Sequence, residues 1–520
     1  MDKKAFLAIL LSLVVLISWQ TLFVKPQIIA NKGVIAKETS TEIVKNVQPA
    51  TVTPISRLAT EDVLAARLEN NKFRLDVLSL RGTLANGHFK DYNLNFEFKD
   101  LLGNKFSFDK PYTIEKNDGK VGIYNVQSGH SLYKSISYDK LNYVLDLEIV
   151  YKNTTNTAWL FNDSIVLNDI PQGAHPDASR LYEAFWKGQD TIHRKNPLSI
   201  KGRFTAALID GYIGFRDRYS CLVLVPESSS EIQRYFSIER AGQGAVIAMD
   251  LENIKVPANS EITQKYKLYC GPQDINLLKQ FNLGAEDVVY FGGFDFISQV
   301  LLSIMRFLHN VLHSWGLAII FLSILVYICL YPLSFKQMQS MKHMQMLQPQ
   351  IEALRKAYKD NPQRLNKEIM DLYKKNKVNP LGGCLPMLLQ IPIFFGLYQA
   401  LYRSVELKGT AFLWIKDLAE PDRLFVFSSG LPILGKELNI LPILMAIGMF
   451  FQQRITMKSS TAVGTSAEQQ KMMLWLFPIL FGFIFYKFPS GLNLYWFINT
   501  LLTTFTQWKT LRTTNTVKGN

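Results

Sequence analysis

From residue 5 to 24 the chain reads AFLAILLSLVVLISWQTLFV, twenty positions without a charge, and then it turns polar. A run of that length crosses a bilayer core of about 30 Å. Lys3 and Lys4 precede it and no small-residue cleavage site closes it, so the pattern predicts an uncleaved anchor over 1–24. Residues 25–60 are rich in Thr and Lys and dotted with proline, the text of a linker. From 61 to 290 short β-rich runs follow, bounded by Gly, Asn and Pro: KFRLDVLSLRG (72–82), NYVLDLEIVYKN (142–153) and YSCLVLVP (219–226). Many short strands without helical periodicity between them predict a β-sandwich.

The period then changes. Gln299, Ser303, Arg306, Asn310 and His313 recur every three or four positions, while Ile297, Val300, Leu301, Ile304, Leu308, Val311 and Leu312 fill the rest. This predicts an amphipathic helix over 291–314, suited to the outer headgroup layer. Beyond it the apolar text predicts five spans, at 315–335, 378–402, 438–455, 471–487 and 489–508. The uncharged parts of the third and fourth are only 16 and 15 residues long. Those reach about 22–24 Å at about 1.5 Å per residue. Either these helices run past their flanking charges or they thin the bilayer locally. Residues 336–377 predict a helical hairpin: Met338, Met341, Met344 and Leu347 recur every three positions, DNP (360–362) breaks the helix, and Leu365, Ile369, Leu372 and Tyr373 mark its return. A short tail, 513–520, ends the chain.

Composition sharpens this picture through its distribution. The chain is 48% hydrophobic and 19% charged, with a net charge of +14. Ten Lys/Arg and four Asp/Glu lie between 336 and 378, against four and five between 404 and 437. The positive-inside rule then puts both termini and the hairpin in the cytoplasm and the 25–290 insert outside. No compact basic domain with interleaved aromatics is present, which argues against sequence-specific nucleic-acid binding.

Candidate chemistry is sparse. Cys221, Cys270, Cys329 and Cys384 lack metal-ligand spacing; the first two either pair or are buried free thiols. His88, His130, His175 and His193 are scattered. HNVLH (309–313) has Asn310 where a zinc protease needs glutamate. GLPILGKE (430–437) approaches a phosphate loop, but Glu437 replaces the hydroxyl residue that would hold magnesium. No metal site, cofactor or catalytic residue is predicted. What remains is polar and uncharged: Ser323, Tyr327, Gln390, Gln399, Asn493, Asn499 and Thr503 fall in or near the spans. Polar groups in hydrocarbon must pair or face water, so they act either as glue between helices or as the lining of a wet groove.

Three stretches carry a resemblance. LYPLSFKQMQSMKHMQMLQPQIEALRKAYKDNPQRLNKEIMDLYKKNKVNP (330–380), NPLGGCLPMLLQIPIFFGLYQAL (379–401) and FPSGLNLYWFIN (488–499) resemble the YidC-type membrane protein insertases. GFRDRYS (214–220) and YCGP (269–272) resemble the periplasmic domain of the long Gram-negative members. The resemblance implies a polytopic α-helical inner-membrane protein of six spans. A five-helix core surrounds a hydrophilic groove, and a large all-β supersandwich domain lies in the periplasm. It implies insertion and folding of newly made membrane proteins, alone or beside the Sec translocon, without a cofactor and as a monomer. The implied partners are nascent membrane proteins, the ribosome, Sec components and the lipid bilayer. Ser323, Gln390, Phe394 and Trp496 match positions that line the groove or touch substrate in relatives, and Asn499 is the groove's further polar candidate. Met338, Met341, Met344 and Leu347 are the candidates for capturing nascent segments, since methionine adapts to many apolar surfaces.

One position departs. Relatives carry an arginine five residues before the proline of YPL, where this chain has Tyr327. A tyrosine can hydrogen-bond but cannot attract an acidic tail by charge. A solute transporter or channel using the same groove is the competing reading. It lacks the internal repeats and intramembrane charges such proteins show. A scaffold organised by the β-domain is the third reading.

Overall fold

The computed structural model describes residues 64–516, apart from 79–81, 97, 105–111, 118, 172–178, 180, 189–190, 210, 228–231, 281–283, 360, 377–384, 432–434 and 460–466. The predicted anchor, linker and final tail residues 517–520 lie outside the described residues, as do His175 and Cys384. The chain divides into two compact units, Met1–Asp62 and Val63–Asn520; all that follows concerns the second.

Alternation of apolar and polar positions builds the β-rich part. In β2 (Phe73–Leu78) Phe73, Leu75 and Val77 are buried and Arg74 is exposed. The same alternation runs along β8 (Val144–Asn153). β14 (Ser220–Pro226) has instead a continuous buried run, Ser220 to Leu224, as befits a strand covered on both faces. It lies inside a nine-stranded antiparallel sheet ordered β11 (Ile192–Lys195), β10 (Glu183–Lys187), β13 (Ile213–Arg216), β14, β17 (Ser260–Pro272), β8, β7 (His130–Tyr138), β6 (Lys120–Gln127), β5 (Thr113–Asn117). A four-stranded sheet of β12 (Arg203–Ala207), β15 (Gln233–Ala241), β16 (Gly244–Val256) and β9 (Trp159–Ile170) packs against it. The Tyr151 hydroxyl of one layer donates to Asp163 Oδ2 of the other at 2.8 Å. A second four-stranded sheet contains β2 and shares the same core. The sandwich expected from the short strand runs is therefore present. Cys221 and Cys270 are both buried free thiols, although Leu222 and Cys270 are register partners on β14 and β17. The isolated histidines are held locally: His88 bonds Asn95, and the rings of His130 and His193 lie against Trp159 and Trp186.

After a short α1 (Ile275–Gln280) comes α2 (Asp295–Leu312), the predicted amphipathic helix. It is apolar on two sides. Leu301, Leu302 and Met305 are buried against the other helices, while Phe296, Phe307 and Val311 are exposed. His313 ends it in a left-handed conformation, and His309 stacks on Trp315 at 4.0 Å. The Asn310-interrupted pair thus serves packing and capping. Arg306 of α2 ties three parts together. It bonds Glu406 in the 404–422 loop, with its Nε at 2.8 Å, and lies 3.7 Å from Asp274 at the end of the β-domain.

The remaining helices are α3 (Trp315–Met346), α4 (Gln348–Ala357), α5 (Pro362–Lys375), α6 (Leu385–Arg403), α7 (Ile440–Ser459), α8 (Ala467–Ile484) and α9 (Ser490–Thr516). Prolines lie inside three of them: Pro332 in α3, Pro392 in α6 and Pro478 in α8. α3 carries the first predicted core span and the start of the hairpin's first arm as one helix of 32 residues, and α4 continues the arm. α7 and α8 have 20 and 18 residues and continue past Arg454 and Lys471. Of the two alternatives, the helices follow the first: they extend beyond their uncharged text, and about 27–30 Å of helix is available in each. Among the described residues, 315–336 and 440–457 are long and apolar enough to cross a membrane by length and composition, and Leu474–Lys487 is a shorter apolar segment. GLPILGKE does not open a helix; Gly435–Leu438 is a strand paired with Phe425–Leu431.

The hairpin has its own small core. Leu347, Ile351, Ile369 and Tyr373 are buried together, with Leu354, Leu365 and Leu372 at the edge. Asn361 accepts from the Arg364 N–H at 3.0 Å and Pro362 follows it, a helix start supported by both side chain and ring.

Candidate functional site: a polar face within an uncharged helix bundle

No Asp, Glu, Lys or Arg occurs in 316–335, 385–402, 440–453, 472–486 or 490–508. Polarity inside this bundle comes from amides, hydroxyls and backbone. Its organiser is α9. Tyr495, Asn499 and Thr506 stand four and seven residues apart, which places them along one face of a helix. Tyr495 is fully buried. Its hydroxyl accepts from Gln390 Nε2 of α6 at 2.9 Å, and Asn499 Nδ2 lies 3.5 Å from the same oxygen. Two turns further on, the Thr506 hydroxyl is 2.5 Å from that of Tyr327 on α3. Thr503 and Thr506 also bond back to the carbonyls of Asn499 and Leu502, so their hydroxyls are held by their own helix.

Beside this face lies an aromatic wall. Phe394 of α6 meets Trp496 of α9 edge-on, with ring centres 5.2 Å apart at 89°. Phe485 joins both, at 5.8 Å from Phe394 and 5.3 Å from Trp496. The site therefore combines a strip of hydrogen-bonding groups with an adaptable apolar wall. It has no nucleophile–base pair, and among the described residues no cluster of three His, Cys, Asp or Glu lies together.

The six groove candidates are placed unequally. Gln390 and Asn499 meet through Tyr495, Phe394 and Trp496 touch directly, and Tyr327 reaches α9 through Thr506. Ser323 is buried one turn from Tyr327, but its hydroxyl donates to its own helix at Ile319 O, 2.7 Å away. Asn493 bonds the carbonyls of Phe485 and Phe488 and so shapes the FPSG bend. Sequence reasoning missed Tyr495 and Thr506, which the spacing from Asn499 along α9 would have pointed to.

Of the capture candidates, Met338, Met341 and Met344 lie on α3, and their side chains fall outside the described residues. Leu347 is part of the hairpin core, so it packs the hairpin and does not face outward. Met346 and Met370 are exposed on the hairpin instead.

Comparison with known proteins agrees with these two parts. Residues 307–517 match the family described as 60Kd inner membrane protein, and residues 104–304 match the YidC periplasmic domain. The chain is 36% identical over 315 residues to the membrane protein insertase YidC of Endomicrobium trichonymphae, covering 59% of this chain and 57% of that protein. It is 40% identical over 291 residues to that of Syntrophus aciditrophicus, covering 56% and 50%. These two alignments span little more than half of the relatives' length. With the insertase of Herminiimonas arsenicoxydans the identity is 32% over 409 residues, covering 76% of this chain and 70% of that one. A crystal structure of YidC from Thermotoga maritima superposes with a TM-score of 0.32 at 15% identity, over 86% of this chain and 99% of that one. Matched in both its helical and its β-rich part, the chain belongs to the YidC family of membrane protein insertases.

Proposed function

We propose that this chain is a membrane protein insertase of the bacterial inner membrane. It accepts hydrophobic segments of nascent membrane proteins and passes them sideways into lipid, beside the Sec translocon or alone, and it works as a monomer. The observation that carries this reading is the polar face of α9 in a bundle without charge. Moving a substrate's polar flank through hydrocarbon is costly. A strip of hydroxyls and amides that holds water lowers that cost over part of the path. Burial of the apolar segment in lipid then drives the step.

The proposed topology has six spans: the anchor at 1–24 and the five core spans at 315–335, 378–402, 438–455, 471–487 and 489–508. Both termini are cytoplasmic and the 61–290 domain is periplasmic. Charge bias supports it, with the basic hairpin 336–377 inside. The hairpin is the receiving platform, facing ribosome and lipid phosphates. Met338, Met341 and Met344 are its proposed capture residues, and Met346 and Met370 join them as exposed methionines. Ser323, Tyr327, Gln390, Phe394, Trp496 and Asn499 are the proposed groove. Tyr327 makes this groove one that works by hydration, since no positive charge attracts the substrate there.

Photocrosslinking from position 327 to ribosome-bound nascent membrane proteins tests the reading, together with complementation by Tyr327→Arg. Capture of the nascent segment, with growth supported by both forms, is the expected result. No capture from position 327 or from position 499 overturns it.

A further inference from the structure

Arg218 belongs to the β-domain, in the turn between β13 and β14, yet its three hydrogen bonds all go to the helical part. Its Nε donates to Tyr402 O at 2.8 Å, one Nη to Ala419 O at 2.7 Å, and the other to Glu420 Oε1 at 2.9 Å. The guanidinium also lies over the Tyr402 ring at 3.9 Å and the Tyr219 ring at 4.7 Å. The turn that carries it is braced. Asp217 Oδ1 accepts the N–H groups of Tyr219 and Ser220 at 2.8 and 2.7 Å, and Gln273 Nε2 donates to Asp217 O.

Each acceptor occupies a telling place. Tyr402 is in the last turn of α6, where carbonyls lack intrahelical donors and a cation meets the negative end of the helix. Ala419 and Glu420 belong to the ledge on which α9 begins. Ser490 N donates to Glu420 O at 2.8 Å, Gly491 N to Leu418 O at 2.9 Å, and Ser490 Oγ to Asp417 O at 2.9 Å. Gly491 suits this seat, since an added Cβ would come within 3.1 Å of Leu418 O and of Ile319. One planar group therefore joins the end of the helix bearing Gln390 and Phe394 to the start of the helix bearing Tyr495, Trp496 and Asn499. Glu420 is further held by Lys408 at 3.3 Å and Arg423 at 3.7 Å, so the ledge is braced on the loop side as well.

We propose that Arg218 is a positioning residue that pins α6 to α9 at their outer ends and thereby shuts the groove toward the outer face. The proposal rests on the groove and topology set out above. It adds a task for the β-domain: supplying one side chain that closes the membrane part. A lysine cannot replace it, because one ammonium cannot serve two carbonyls and a carboxylate in a single plane while stacking on Tyr402.

The test uses the full chain in membranes with its four native cysteines replaced by alanine. Spin labels at the exposed positions 395 and 501 report the separation of α6 and α9. A cysteine at position 499 reports groove access to a membrane-impermeant thiol reagent added on either side. In Arg218→Ala the separation is expected to widen or broaden. Labelling from the outer side rises at least on the order of tenfold, the change expected from losing even one of the three charge-assisted hydrogen bonds. Arg218→Lys, which keeps the charge and the fold, moves both readouts in the same direction. Trypsin resistance of the β-domain stays as in the parent. An unchanged separation in both variants overturns the proposal. If position 499 of the parent is labelled from neither side, the groove reading falls, and the pin stands or falls on the separation alone.

Discussion

Single residues carry unusual weight in this molecule because few of them hold the polar contacts. Removing the Tyr495 hydroxyl leaves Gln390 without the partner it has in α9. Tyr495→Phe is expected to lower thermal stability in detergent, and Gln390→Leu combined with it should cost less than the two separately. The double-mutant cycle should give a coupling of about 0.6 kcal/mol, with about 1.7 as the upper end for such pairs in membranes. A coupling of zero would show that the two groups do not meet. Lys134 poses the opposite problem, a cation wholly inside the β-domain. Its Nζ reaches Leu102 O at 2.8 Å, and burial pushes its pKa down to about 8, opposed by the charge of Asp163. The unfolded chain holds that proton up to its ordinary value near 10.5. Between about pH 8 and 10 the unfolded state therefore binds more protons, and stability rises with pH by about 1–3 kcal/mol. The protection factors of the β6–β8 amides, with the intrinsic pH dependence of exchange divided out, should rise across that window in the parent and not in Lys134→Met.

At the scale of elements, the helices share an apolar cluster, and one close approach stands out. Gly396 lets α2 cross α6: an added Cβ would lie 2.8 Å from Ile297, and Ser298 Oγ donates to Gly396 O at 2.8 Å. Gly396→Leu is expected to lift α2 from the core, seen as new protease cleavage between 291 and 314 with the β-domain intact. The hairpin is separable in the same sense. Ile351→Ala removes the centre of a core of four residues, a change that costs about 2–5 kcal/mol in packed interiors. It should unprotect the amides of 348–375 alone. How much of this was legible differs by element. The strand runs, α2 and the hairpin with its DNP break could be read because periodicity and turn residues are local signals. The ends of α7 and α8 stayed open because Arg454 and Lys471 interrupt the apolar text, and a long side chain at a helix end can snorkel, so a charge does not mark the end. Tyr495 was passed over because a tyrosine among Leu and Trp reads as packing. Its partner Gln390 lies 105 positions away, and no local pattern connects them.

Residues 63–520 are a β-domain and a helical core that share one apolar cluster and are tied by ion pairs and carbonyl contacts. Arg306 and Glu406 are both mostly buried, so removing Arg306 leaves the Glu406 carboxylate without its cation, with the Ser404 hydroxyl still donating to it. Arg306→Met is expected to cost about 3–5 kcal/mol, read as a lowered midpoint of thermal unfolding. Deleting most of 61–290 removes Arg218 with the rest of its domain. The insertase reading expects insertion to survive that deletion; the pin expects position 499 to become reachable from outside. A scaffold organised by the β-domain expects insertion to be lost, so the same deletion separates the two views.

Pro332, Pro392 and Pro478 have a further meaning when taken together. Each lacks the N–H that a helix would give to the carbonyl four residues earlier. The acceptors left over are the backbone oxygens of Ile328, Leu388 and Leu474, one in each of three helices. In a dry bilayer such an oxygen needs another donor, from a neighbouring helix, a Ser or Thr hydroxyl, or water. The bundle thus carries spare acceptors written into its main chain. Replacing a neighbouring side chain leaves them in place; only replacing the proline itself, as in Pro392→Ala, returns the missing N–H and removes the acceptor.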